Sequence, residues 1–348
     1  MRDILEQLDT WHSEGREIAV ATVVRTWGSS PRQVGSRLIA TREGGIAGSV
    51  SGGCVEGAVI EECYAVLDSG QPSLLGFGVA DEEAWQVGLP CGGTIQVLVE
   101  PFLAYKSIYQ PFKNCLHEQI PCALVSYLEG SPVDFNRKLL LFADGSVEGD
   151  LDLSQYGKGA LQEIKAVFHS GESQTLNPSD DVSLLVEVYP PRERLIIVGA
   201  VHTAEKLVSL AQVLGFETII IDPRRAFNNR ERFPEASRLI TEWPNEALEQ
   251  LELTSADYVV ILTHDPKLDD PALLVALRKP ARYIGALGSK RTNQKRLARL
   301  VEAGLTDAEL SRLHAPIGLD IGGRRPEEIA LSIMAEINKV KYKRYTPG

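Results

Sequence analysis

Part of this 348-residue chain occurs twice, and that constrains its fold more than any other feature. Thr22-Val23-Val24 and Pro31 fall opposite Ala123-Leu124-Val125 and Pro132, an offset of 101 residues. The same offset relates Gly44 to Gly145, Gly48 to Gly149, and Val66-Leu67-Asp68-Ser69-Gly70 to Val167-Phe168-His169-Ser170-Gly171. Beyond that point the offset contracts to 87, with Leu98-Val99-Glu100 opposite Leu185-Val186-Glu187, so the second copy lacks fourteen residues around Cys91. Two copies are too few for a solenoid. Residues from about 10 to 190 therefore read as two β-rich α/β repeats packed together, the first bearing the chemistry and the second reduced to scaffold. In the first copy Ile18 to Arg25 predicts a strand, Arg37 to Thr41 and Gly45 to Val50 a hairpin around Glu43-Gly44, and Val55 to Leu67 a helix.

Two cysteines stand in glycine-rich turns of the first copy, Ser51-Gly52-Gly53-Cys54-Val55-Glu56-Gly57 and Gly88-Leu89-Pro90-Cys91-Gly92-Gly93. Glycines let main-chain N–H groups converge and let a bulky ligand approach closely. The helix pattern puts Cys54 at a helix N-terminus, where the dipole favours a thiolate. The alternative, that both thiols are small buried hydrophobes in tight turns, stays open at this level. Position 155, opposite Cys54 in the second copy, is Gln155 with no preceding Gly-Gly. The segment Trp27-Gly28-Ser29-Ser30-Pro31-Arg32 reads as a turn whose Ser29 and Ser30 could take an anionic or heteroaromatic ligand, with Arg32 and Arg37 adding charge-assisted bonds.

Composition narrows the function classes. A net charge of −11 argues against non-specific nucleic-acid binding. No apolar run reaches the roughly 18 residues that cross a bilayer, and Met1-Arg2-Asp3-Ile4 lacks a signal-peptide core, which predicts a cytoplasmic protein with no membrane partner. Five cysteines, an odd number, fit free thiols in a reducing compartment. Cys54 and Cys63 are too far apart for a Cys-x-x-Cys hairpin and lack a neighbouring His, so they offer no zinc set.

From Arg194 the pattern changes to βαβ units: strands Leu195 to Val198, Thr218 to Asp222, Asp257 to Thr263 and Arg282 to Gly285, with helices His202 to Leu214, Leu268 to Arg278 and Asn293 to Ala303. Gly199-x-x-x-x-Ala204 with Asp222 ending the second strand is similar to a dinucleotide fingerprint, but Val201 occupies the position where glycine lets the backbone meet a pyrophosphate. Gly288-Ser289-Lys290-Arg291 at a helix start offers a separate phosphate seat, or else a solvated basic cap. The predicted fold class is α/β: an N-terminal duplicated mixed β-rich α/β domain, then a Rossmann-like doubly wound parallel sheet. The expected boundaries are 1–105 for the cysteine-bearing repeat, 106–191 for the degenerate repeat packed on it, 192–333 for the Rossmann-like domain and 334–348 for a basic tail with little to pack.

Four motifs in one order, Ser51-Gly52-Gly53-Cys54-Val55-Glu56, Gly88-Leu89-Pro90-Cys91-Gly92-Gly93, Gly285-Ala286-Leu287-Gly288-Ser289-Lys290-Arg291 and Gly318-Leu319-Asp320-Ile321-Gly322-Gly323-Arg324-Arg325-Pro326-Glu327-Glu328-Ile329, resemble the XdhC/CoxI family, the accessory factors of xanthine dehydrogenase and related molybdenum hydroxylases. The family usually has Gly-x-Gly-His where this chain has Gly199-Ala200-Val201-His202. The resemblance implies a factor, more a chaperone than an enzyme, that binds molybdenum cofactor (molybdopterin), protects it, supports its sulfuration and passes it to an apo-hydroxylase. It implies Cys54 and Cys91 as the thiols near molybdenum. Gly52, Gly53, Gly92, Gly93, Ser29 and Ser30 would line the same site, and Ser289 and Lys290 would take the phosphate toward the cleft between the domains. A cysteine desulfurase as a further partner and a homodimer are expected with it. Members are often called xanthine dehydrogenase itself, a label that fits poorly because no iron–sulfur cysteine runs are present.

Two readings from other classes compete. One is an NAD(P)-dependent oxidoreductase with Asp222 on the ribose, Arg224 and Arg225 on a 2′-phosphate and His264 as acid or base, disfavoured by Val201. The other is a thiol redox enzyme cycling a Cys54–Cys91 disulfide.

Overall fold

The computed structural model describes residues 1–28, 32–78, 93–129, 136–156, 159–179 and 182–342. The chain divides into two compact units, Met1–Pro191 and Arg192–Gly348.

In the first unit each copy opens with a helix and builds a five-stranded antiparallel sheet. The first copy contains α1 (Leu5–Ser13), β1 (Ile18–Trp27), β2 (Arg37–Thr41), β3 (Ile46–Gly48), α2 (Glu56–Ser69), β4 (Ser73–Phe77) and β5 (Thr94–Pro101). The second contains α3 (Tyr109–Glu118), β6 (Cys122–Glu129), β7 (Lys138–Phe142), β8 (Val147–Gly149), α4 (Ala160–Ser170), β9 (Gln174–Ser179) and β10 (Val182–Tyr189). Strand order is β3-β2-β1-β5-β4 in one sheet and β8-β7-β6-β10-β9 in the other, the same topology twice.

The register corrects one sequence expectation. The offset of 101 holds for the β2-β3 and β7-β8 hairpins, but Thr22 pairs with Arg37 while Ser126 pairs with Lys138, so β1 and β6 correspond at an offset of 104. Ile4 and Ile108, which precede α1 and α3, share that larger offset. The link from the first strand to the second is three residues shorter in the second copy. Apolar strands look alike when slid along each other, whereas a glycine turn does not. Gly48 and Gly149 both have positive φ, and a Cβ on either would lie 2.2 Å from the carbonyl oxygen of Arg37 or Lys138. No other residue fits there.

One face of each sheet packs on its own helix: Val59, Cys63 and Val66 of α2 cover Ala21, Val23 and Val97, and Ile164 and Val167 of α4 cover Ala123, Val125 and Val186. The alternate residues Val20, Ile39, Leu124 and Leu140 share a second core with α1 and α3. Two buried ion pairs cross between the copies there: Arg37 Nη2 to Glu187 Oε2 at 2.6 Å and Lys138 Nζ to Glu100 Oε2 at 2.5 Å. They are reciprocal, because Lys138 stands at the Arg37 position and Glu187 at the Glu100 position. Arg37 is therefore no ligand for the Ser29-Ser30 turn; its guanidinium also donates to Tyr189 Oη and the Gly35 carbonyl.

The second unit is a six-stranded parallel sheet of β11 (Arg194–Val198), β12 (Glu217–Ile221), β13 (Arg238–Ile240), β14 (Asp257–Ile261), β15 (Tyr283–Ala286) and β16 (Leu313–His314), ordered β13-β12-β11-β14-β15-β16. The helices are α5 (His202–Val213), α6 (Pro244–Gln250), α7 (Pro266–Ala276), α8 (Lys290–Glu302), α9 (Asp307–Leu310) and α10 (Pro326–Lys341). Residues of α5 and α10 fill one apolar layer and those of α6, α7 and α8 the other, the doubly wound arrangement of a Rossmann fold. The expected tail from 334 is helical through Lys341. Met334 and Ile337 are buried on the α5 side, and the Lys341 ammonium pairs with Glu193.

Candidate functional site

Cys54 is exposed, so the buried-hydrophobe alternative does not hold for this thiol, and it precedes α2 by two residues. The turn leading to it has Gly52 at φ +78° and Gly53 at φ +117°, and Val55 is fully buried against the sheet. The glycine amides do converge, as expected, but on a carboxylate of the chain itself. Glu56 Oε1 accepts from Ser51 N at 2.9 Å, Gly52 N at 3.0 Å, Val50 N at 3.3 Å and Ser49 Oγ at 2.7 Å. Glu56 Oε2 accepts from Gly53 N at 2.8 Å and from the Ser51 hydroxyl. Partial burial opposes ionisation, yet the hydroxyls of Ser51 and Ser49 and the amides of Ser51 and Gly53 bring the Glu56 carboxyl down to about 2. Gly52 and Gly53 are thus required by backbone conformation, and their N–H groups are already bonded rather than offered to a ligand.

A Cβ placed on Gly52, Gly53 or Gly57 would meet no atom of the described residues within 4 Å. Gly57 is exposed inside α2, needs no positive φ, and leaves the helix weaker than alanine would by about 1 kcal/mol. Among the described residues packing gives no reason for a glycine at 57.

The other predicted residues divide. Cys91, Gly92, Ser29 and Ser30 lie outside the described residues, and Gly93 is buried just before β5. Cys63 is buried in α2, and burial pushes its thiol up to about 12, where it is unreactive at neutral pH.

In the second unit the carboxyl ends of β11, β12, β14 and β15 carry the candidate groups. Ser289 caps α8, its hydroxyl accepting from Thr292 N at 3.1 Å, while Lys290 and Arg291 are exposed and form no ion pair among the described residues. Val201 precedes α5 in extended conformation and packs on the apolar layer. Asp222 is fully buried and bonded to Ala200 N at 2.8 Å and to the Arg224 guanidinium at 2.7 and 2.9 Å. Burial works against its charge, but Arg224 and these amides hold its carboxyl below the usual carboxylate range. A ribose would have to displace an existing ion pair.

The sequence named His264 as a candidate acid or base but gave no sign of its backbone conformation, and it missed the network below it. His264, just beyond β14, is exposed at φ +73°, a left-handed conformation that an L-residue adopts only when its surroundings impose it. Below it, buried Asp269 accepts from Thr263 Oγ1 and from Arg296 Nη2 at 2.8 Å, and Arg296 also donates to the Leu287 carbonyl at 3.1 Å. This network ties the loop after β14 to the loop after β15. The part that Glu56 plays was missed as well, although its place at the first turn of a helix behind Ser and Gly residues was a signal for it.

Comparison with known proteins agrees across both units. Family models described as the XdhC Rossmann domain and the XdhC and CoxI family match residues 195–337 and 11–78. The chain is similar to a probable xanthine dehydrogenase subunit of Bacillus subtilis (strain 168), 28% identical over 95% of both chains. It is similar to the molybdenum cofactor insertion chaperone PaoD of Escherichia coli (strain K12), 25% identical over 94% of this chain and 84% of that one. A crystal structure of a xanthine dehydrogenase from Bacillus halodurans superposes with a TM-score of 0.78 at 28% identity, covering 99% of this chain and 97% of the other.

Proposed function

Because the chain belongs to the XdhC and CoxI family, we propose that it is an accessory factor of molybdenum cofactor insertion that holds the cofactor through Cys54, supports its sulfuration and delivers it to an apo-hydroxylase of the xanthine dehydrogenase type. The cofactor is cargo here rather than a resident group. The observation that carries the reading is the exposed thiol of Cys54 beside three glycines whose Cβ positions meet none of the described residues. A thiolate is a soft donor suited to a molybdenum centre, and the bare backbone admits a wide, flat molecule. Because Glu56 occupies the turn's amides, the turn contributes shape and a sulfur ligand, and the cofactor's phosphate requires cations elsewhere. In the second unit Ser289 and Lys290 are suited to bind an anionic group, and in the first Cys91 is suited to serve as a second thiol. A cysteine desulfurase as sulfur donor and a second copy of the chain complete the proposed assembly.

Purification from a host that makes molybdopterin, followed by metal analysis and fluorescence of the oxidised pterin, tests this reading. Wild type and Cys63→Ala are expected to carry the cofactor, and Cys54→Ala to lose it while keeping its circular dichroism. Lys290→Glu should weaken retention, and added salt should do the same to wild type. Equal retention by wild type and Cys54→Ala would refute the role of the thiol.

A further inference from the structure

We propose that Glu56 is a positioning residue for Cys54: its carboxylate serves as the internal anion around which the turn is built, and without it the thiol loses its fixed place ahead of α2. The inference rests on the reading of Cys54 as the cofactor-contacting thiol. Each neighbour of Cys54 is held through this one group. On one side Gly53 N donates to Oε2 at 2.8 Å. On the other, Val55 N donates at 3.0 Å to the Ser51 hydroxyl, which itself bonds Oε2. Ser49 Oγ bonds Oε1 at 2.7 Å and accepts from Gly52 N at 2.9 Å, so the strand exit is tied to the same carboxylate.

The N–H groups of Ser51, Gly52 and Gly53 all point at this carboxylate, and a concave run of main-chain amides of this kind is a seat for an anion. Glu56 supplies that anion from the first residue of α2, and buried Val55 and Val59 clamp the helix to the sheet. The second copy supports the assignment: position 157, opposite Glu56, is glycine, and the copy without the glutamate is also the copy without the cysteine.

The test compares full-length wild type, Glu56→Gln, Cys54→Ala and the double variant, all made in the molybdopterin-producing host. Glutamine keeps one oxygen for the Ser49 to Gly52 arm but turns an NH2 toward Gly53, which releases the residue next to the cysteine. Glu56→Gln is expected to keep its fold by circular dichroism and to lower cofactor retention by about tenfold, the size seen when a group orienting a ligand is removed. In the Cys54→Ala background the same substitution should change nothing further, because Glu56 acts through the thiol. Provided that Cys54→Ala itself loses cofactor, undiminished retention in Glu56→Gln, or an equal loss in both backgrounds, overturns the proposal. The alkylation rate of Cys54 by iodoacetamide in cofactor-free protein, followed by peptide mass spectrometry, separates this inference from the functional reading. A rate unchanged by Glu56→Gln overturns the positioning role. A changed rate together with full retention by Cys54→Ala supports it and refutes only the thiol's contact with cofactor. Should Glu56→Gln fail to fold, Ser49→Ala removes one donor from Oε1 and is read the same way.

Discussion

The two copies in the first unit begin the same connection identically and finish it differently. Ser49 N bonds the Arg37 carbonyl at 2.8 Å and Asp150 N bonds the Lys138 carbonyl at 3.0 Å, each just after its left-handed glycine. From there the first copy runs through bare Gly52 and Gly53 around the Glu56 carboxylate. The second forms a short 3-10 helix over Leu153–Tyr156, whose Tyr156 ring enters the core beside Tyr127 at 6.2 Å, with Asp152 bonding Ser154 N at 2.9 Å. The following hairpins differ as well. Sixteen residues link β4 to β5 and two link β9 to β10. One copy fills its turn with side chains, and the other builds its turn from glycines whose Cβ positions meet none of the described residues. What they share, the sheet order and the reciprocal ion pairs, holds the fold; what they do not share is the cysteine.

The largest effect that could break this comparison is expected at the shared part. Arg37→Ala or Lys138→Ala should destabilise the protein by about 3–5 kcal/mol, since each leaves a buried carboxylate, Glu187 or Glu100, without its partner. Urea unfolding checks this, and a large loss at one pair with none at the other would show that the copies are not equivalent supports.

Gly149→Ala comes next. Its Cβ would collide with the Lys138 carbonyl oxygen at a φ of +136°, so a loss of about 1–3 kcal/mol is expected, seen as a lower melting temperature. Cofactor retention by the folded variant should match wild type. A selective loss of retention would give the second copy a binding role.

Acid should separate the two turns more gently. The Glu56 carboxyl lies at about 2 in the fold against an ordinary 4.5, so the unfolded chain takes up the proton first as pH falls. Its contribution is fully present above about pH 4.5 and is lost as pH falls toward about 2. The gap in urea midpoint between wild type and Glu56→Gln should close across that window, and a constant gap would mean that the carboxylate's charge is not what holds the turn.

The smallest and sharpest test is Gly57→Ala. It should stabilise the protein by up to about 1 kcal/mol, because alanine favours the helix and its methyl would meet no atom of the described residues. It should also weaken cofactor retention by standing where the cofactor approaches. Higher stability with unchanged retention would show that the cofactor does not approach α2 at this point.

The residues that repeat in turns were legible in the sequence. Gly48 and Gly149 announce themselves because only glycine tolerates their conformation and their crowding. The βαβ units were legible too, since a strand buried on both faces reads as an uninterrupted apolar run, as in Leu195 to Val198. The sequence alone thus determined the duplication, the parallel second unit and the placement of Cys54 beside a helix start. Strand register was misread by three residues, because alternating valines and alanines carry no marker along their length. The tertiary structure alone decided which polar groups are available. Arg37 meets a glutamate 150 residues away, Asp222 is neutralised by Arg224, and the amides of Gly52 and Gly53 belong to Glu56. A residue type states what a side chain can donate or accept, but whether that capacity remains for a ligand depends on partners that only the folded chain brings within 3 Å.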